Sequence, residues 1–200
     1  MEAGRNGITA NTPKNILFGA GTIHKGLKYT AGSGSDAGSW NYADTIVGAT
    51  NGGSKLSIVP EMYDVPIDGA NVVVKNLKVK TGEAATMEVN FAELTEEIIK
   101  AATIGETAIT SDVPTHNLIK SKADIADGDY WENVAFVGRT LDGKNIMAIL
   151  ENALVTSGLE QEGKNKEGAV GTYTFTCHAD DSGDTFDVLP WKIYYPKATI

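Results

Sequence analysis

Few residues in this chain have the types and spacing for covalent chemistry. Cys177 and His178 are neighbours and have the identities of a nucleophile and its base. They lie where Tyr173, Phe175 and Cys177 alternate with Thr172, Thr174, Thr176 and His178, and adjacent side chains of a strand point to opposite faces. That geometry makes Cys177 a small core hydrophobe rather than an activated thiolate. His24 and His116 have no H-x-x-x-H or C-x-x-C companion, so no zinc-type ligand set is written in the sequence. Asp124, Asp127, Asp129 and Glu132 form one acidic cluster, and Asp180, Asp181, Asp184 and Asp187 form another. Neither has the alternating, glycine-containing spacing that wraps oxygen ligands around calcium, and both read as solvated turn acids. Phe18-Gly19-Ala20-Gly21-Thr22 follows a strand signal but lacks the third glycine of a dinucleotide loop and the lysine of a P-loop. The expectation is therefore a protein that is not an enzyme, with no catalytic residue, metal or cofactor.

The elements that must position these residues are mainly strands. Met87, Val89 and Phe91 alternate with Thr86, Glu88 and Asn90, the pattern of a strand with one wet face. Residues 172–178 repeat it, and further strands are expected over 15–20, 23–29, 56–63, 72–80, 134–139 and 191–195, separated by Gly, Asp or Pro. Thr95 followed by Glu96 and Glu97 is a helix start, giving one short helix to Thr103. Residues 145–156 fit either a helix face through Ile146, Ile149, Leu150 and Ala153 or a strand face, and their place between strands favours strand. The fold expected is mainly β, a sandwich or barrel with one flanking α-helix, in a single domain spanning 1–200.

Between residues 30 and 60 the chain is rich in Gly, Ser, Asn and Asp yet carries Trp40, Tyr42, Ile46 and Val47. A plain linker has no use for such side chains, so this stretch reads as a long loop or hairpin arm that docks on a partner, with Trp40 and Tyr42 as anchors. The alternative is a loop folded back on its own domain. Residues 1–14 read as a flexible terminal segment.

Composition narrows the function classes. The 200 residues carry a formal charge of −9, which argues against a grip on nucleic acid, since such binding depends on Lys and Arg displacing counterions from phosphates. Residues 1–60 hold five bases and three acids, which leaves −11 on the remainder. No apolar run approaches the roughly 20 residues that span a bilayer, and the first residues show neither half of a secretion signal. The expectation is a chain with no membrane partner that stays where it is made. A single cysteine leaves no internal disulfide.

The order of several segments resembles the major tail tube proteins of long-tailed, siphophage-type bacteriophages and prophages. The resemblance rests on NILFGAG-x-I at 15–23, GATNGGSKLSIVPEMYDVPIDG at 48–69, KTGEAATMEVNFAELTEEII at 80–99 and GTYTFTCHADDSGDTFDVLPWKIYYP at 171–196. It implies a sandwich or barrel of the tail tube type whose copies close into hexameric rings that stack into a tube. It further implies a structural virion protein, made in the host bacterial cytoplasm and located in the tail, through which genome DNA leaves without specific binding. Tape measure, tail tip and tail terminator proteins would be its partners. In that setting residues 30–60 would be the arm between subunits or rings, and Glu88, on the polar face of its strand, the first candidate to face the lumen. The alternatives are another β-rich virion component, such as a tail completion or capsid decoration protein, and a carbohydrate-binding module using Tyr130, Trp131 and Trp191.

Overall fold

The computed structural model describes residues 7–34, 37–163, 165–181 and 186–197. The two alternating stretches lie side by side in it. Strand β5 (Lys78–Phe91) pairs antiparallel with β10 (Gly171–Cys177), so that Met87 faces Phe175 and Val89 faces Tyr173 on a dry side, while Glu88 and Thr174 share the wet side. Burying such apolar pairs contributes about 1.5–3 kcal/mol per large side chain, and a one-residue slip would turn all of them to solvent.

The remaining strands extend this pair. They are β1 (Leu17–His24), β4 (Thr50–Asp64), β8 (Trp131–Thr140), β9 (Asn145–Val155) and β11 (Trp191–Tyr194). The sheet runs β1-β8-β9-β10-β5-β4, antiparallel throughout. One edge of β9 pairs with β8, and the other is shared, residues 147–150 with β11 and residues 153–155 with β10. The sheet is rolled. Its two end strands, β1 and β4, approach each other across residues 45–50, where Val47 N–H donates to the Ile23 carbonyl at 3.0 Å and Ile46 bridges His24. The roll encloses the larger core, built on Ile23, Met87, Phe91, Trp131, Tyr173 and Phe175.

Helix α2 (Glu96–Thr103) closes this core with Ile98, Ala101 and Ala102. Its start is the expected one: Ile98 N–H donates to Thr95 Oγ1 at 3.3 Å, and Glu96 and Glu97 occupy the first turn. Thr95→Ala should cost about 0.5–2 kcal/mol by removing that acceptor. Urea denaturation should show a lower midpoint with an unchanged slope. The short strands β6 (Gly105–Thr107) and β7 (Ile119–Ser121) form a separate ribbon next to the helix.

Residues 145–155 are strand, as favoured from their position. Their mixed pattern has a physical cause: Met147 through Leu150 are all buried, because β8 and β9 are covered on both faces. Behind the larger core lies a second cluster of Leu27, Ala135, Val137, Met147 and Ile149. Asn133, at φ 50°, turns β8 between Trp131 and Val134, so that both reach the larger core despite their odd spacing. Asparagine tolerates that left-handed backbone better than a branched residue would.

The expected arm at 30–60 is corrected by this structure. The small ribbon of β2 (Tyr29–Thr30) and β3 (Ser39–Trp40) lays Trp40 and Tyr42 on the second cluster of the same chain, and from Thr50 onward the chain is strand β4. The apolar anchors thus find their partner on the back of β8 and β9. The element that does project is the hairpin of β4 and β5, joined through residues 65–77. The strand expected over 72–80 begins only at Lys78. Of the segment 1–14, residues 1–6 lie outside those described, and Thr12–Asn15 form the single turn α1.

Candidate assembly surface

The projecting hairpin is set by a difference in strand length. Strand β10 pairs with β5 only over Thr86–Phe91, whereas β4 continues alongside β5 as far as Asp64 opposite Lys78. Beyond Ile58 and Ala85 the two strands run on alone for about 20 Å at the usual rise per residue. At the far end Val65 N–H donates to the Leu77 carbonyl at 2.8 Å, and Lys78 pairs with Asp64 at 2.8 Å. At the root, Leu189 N–H donates to Glu83 at 2.9 Å and Lys80 reaches the same carboxylate at 2.5 Å. Those two contacts hold the Glu83 carboxyl below the ordinary carboxylate range, the Lys80 bond contributing most. The ribbon is therefore tied to the segment that leads into β11.

Its surface is unusual for a strand pair in water. Val59, Met62, Tyr63 and Val79 are exposed along the ribbon, and at the tip Val72 and Val73 keep 76% and 73% of their surface, with Val65, Ile67 and Val74 beside them. Residues of the tip, including Val65, Ile67, Val72 and Leu77, form a shallow apolar cup. Exposed apolar side chains grouped in this way make the hairpin the candidate interaction surface. The Val72–Val74 run was visible in the sequence, but only as one more strand. Nothing local could say that no other strand would cover it.

The residues proposed from sequence fall elsewhere. Trp40 packs against Tyr194 with ring centroids 5.0 Å apart, and the Tyr42 hydroxyl donates to the Met147 sulfur at 3.2 Å. Val47 packs on the larger core, while Ile46 stays 55% exposed at the seam between β1 and β4. Glu88 is exposed on the wet face, opposite Lys55 and Thr174. Its neighbours there are Ser57, Thr86 and Thr172, so the face is rich in hydroxyls and locally balanced in charge rather than a run of carboxylates.

The sequence candidates for chemistry are spread apart. Cys177 is buried, and that burial pushes its thiol up to about 11, leaving it protonated at neutral pH. His178 stacks edge-on with Tyr130 at 5.4 Å. In the first acidic cluster Asp129 pairs with Lys122 at 2.5 Å, and Glu132 with Lys28 at 3.1 Å. Asp184 of the second lies outside the described residues. Among the described residues no three His, Cys, Asp or Glu side chains converge as a metal would need. Trp131 is a core residue against Phe175, with the Lys25 ammonium 4.3 Å from its ring centre, and Trp191 packs on the same core. The three aromatics offered for sugar binding therefore form no open platform. The glycines at 19 and 21 serve a bulge between Phe18 and Thr22, and a Cβ on Gly21 would stand 2.3 Å from the Phe136 ring.

His24 is a buried titratable side chain with a partner on each ring nitrogen. Thr45 Oγ1 donates to the Asn41 carbonyl at 2.9 Å, so it accepts from His24 Nδ1–H at 2.9 Å, and Thr22 donates to Nε2 at 2.8 Å. Burial holds the imidazole below its ordinary 6.5. The unfolded chain then takes up the proton first, so stability should be level above pH 6.5 and fall as the pH drops below it. Denaturation at neutral and mildly acidic pH should show this loss, and His24→Gln should flatten it.

No family model and no curated protein matches this chain.

Proposed function

We propose that this chain is a structural subunit that assembles with copies of itself into stacked hexameric rings, forming the tail tube of a long-tailed phage or prophage. The observation that carries the reading is the β4–β5 hairpin: a paired ribbon, rooted by Glu83, that ends in exposed Val65, Ile67, Val72 and Val73 with no covering element among the described residues. Head-to-tail assembly needs one projecting surface and a different receiving surface on the next copy, and such contacts close into rings or continue as filaments. The end strands of an open roll provide further pairing edges, whose coverage on assembly removes an aggregation hazard. The segment order that resembles the tail tube family points the same way.

In this reading the wet face of β4, β5 and β10 lines the channel. Hydroxyls of Thr86, Thr172 and Thr174 solvate passing phosphates without holding them, and Glu88 offsets Lys55. Glu88→Lys should then slow DNA ejection from assembled particles, and the delay should shrink as salt is raised. Unchanged ejection would remove this face from the channel.

The direct test is negative-stain electron microscopy of the purified protein at high concentration, alone and seeded with tail-tip complex. Tubes with a central hole are the expected product. A protein that stays monomeric in both, or that forms small closed oligomers bound to capsids, would overturn the reading.

A further inference from the structure

We propose that Asn51 is a site of spontaneous deamidation in the folded protein, placed where β4 opens beside the seam of the roll. Three residues of β4, Asn51, Gly52 and Gly53, stand opposite the single residue Asn90, because the register passes from Thr50 against Phe91 to Ser54 against Val89. Gly52 and Gly53 adopt φ of 96° and 81°, and Asn90 Nδ2 reaches their carbonyls at only 3.4 and 3.3 Å. The bulge therefore frees these residues from the regular ladder, and glycine gives it further backbone freedom. The Asn51 side chain is exposed and makes no hydrogen bond among the described residues. Among the described asparagines Asn51 alone precedes glycine, the residue that offers its backbone nitrogen with no side chain in the way.

The reaction needs only water. The Gly52 backbone nitrogen loses its proton and attacks Asn51 Cγ; that bond forms as the bond to the side-chain nitrogen breaks, and ammonia leaves with the proton. Water then opens the five-membered imide. Opening at the side-chain carbonyl leaves an ordinary aspartate at this position, and opening at the backbone carbonyl gives an isoaspartyl link that lengthens the chain by one methylene. No electrons are gained or lost. Either product places a new carboxylate on the exposed residue that follows Thr50, which itself lines a cleft of about 470 Å³ with Thr22, Ile46, Val47 and Glu93. The bulge can absorb the added methylene, since it already absorbs two extra residues. The inference is independent of the tail tube reading.

The test is peptide mapping by mass spectrometry after incubation of the native protein in heavy-oxygen water at mildly acid, neutral and mildly alkaline pH. An isoaspartyl methyltransferase assay distinguishes the two products. The expected result is conversion at Asn51 roughly tenfold or more faster than at Asn90 or Asn133, whose following residues bear branched or aromatic side chains that crowd the attacking nitrogen. Conversion should rise with pH, because the attacking nitrogen must lose its proton, and Asn51→Gln should abolish it with the fold intact by circular dichroism. If Asn51 keeps its amide in the native protein while the denatured chain converts there, the bulge protects the residue and the proposal is wrong. Conversion at Asn90 or Asn133 before Asn51 would overturn it equally.

Discussion

Excising residues 62–81 and joining Glu61 to Gly82 through an Asn-Gly turn should abolish the proposed tube assembly while leaving the monomer folded. Glu61 and Gly82 are already paired across the hairpin, and Asn-Gly closes two antiparallel strands with the twist they need. None of the removed residues belongs to either core cluster, and Glu83 keeps its bond from Leu189. The excised segment carries the exposed valines of the tip, so the change separates assembly from stability. Sedimentation and microscopy should show only small species at concentrations where the proposed assembly has the full chain form tubes. Urea denaturation should give a midpoint close to that of the full chain. Tubes formed without the tip would sink the assembly role of the hairpin.

The largest expected effect on stability comes from Phe175→Ala. Phe175 retains 1% of its surface, packs on Trp131 with ring centroids 5.3 Å apart, and is paired with Met87 on one side and Val155 on the other. Three strands hold its neighbours in place, so the space left behind cannot collapse, and the loss should reach about 3–5 kcal/mol. A domain of this size has only about 5–15 kcal/mol in total. Denaturation should show a large drop in midpoint, and a further drop in assembly at physiological temperature would follow from the smaller folded fraction.

The strands 86–91 and 172–178 and the helix after Thr95 were legible because each buries one face and leaves the other wet, which prints a period on the sequence. Residues 147–150 printed none, since they are covered on both sides, and their assignment had to come from their neighbours. Trp40 and Tyr42 were legible as anchors, but their receptor, the rear of β8 and β9, is assembled from residues about a hundred positions downstream. The hairpin was hidden for the opposite reason: Val72–Val74 have the composition of a buried strand and are exposed. The end of α2 was also unreadable, because the left-handed residue is Ile104 at φ 50° rather than the glycine that follows it.

The pairing of β5 with its two neighbours also sets an order of events. Its partner β4 is joined to it directly by residues 65–77, whereas Met87 must wait for Phe175, 88 positions away in the numbering. Closing so long a loop is slow, and the local hairpin needs no such search. Pulse-labelled hydrogen exchange should protect residues 78–85 before 171–177. Every chain leaving the ribosome would then display its exposed apolar tip before it owns a core, so the rate of closing β10 onto β5 fixes how long that tip stands beside an unfinished core.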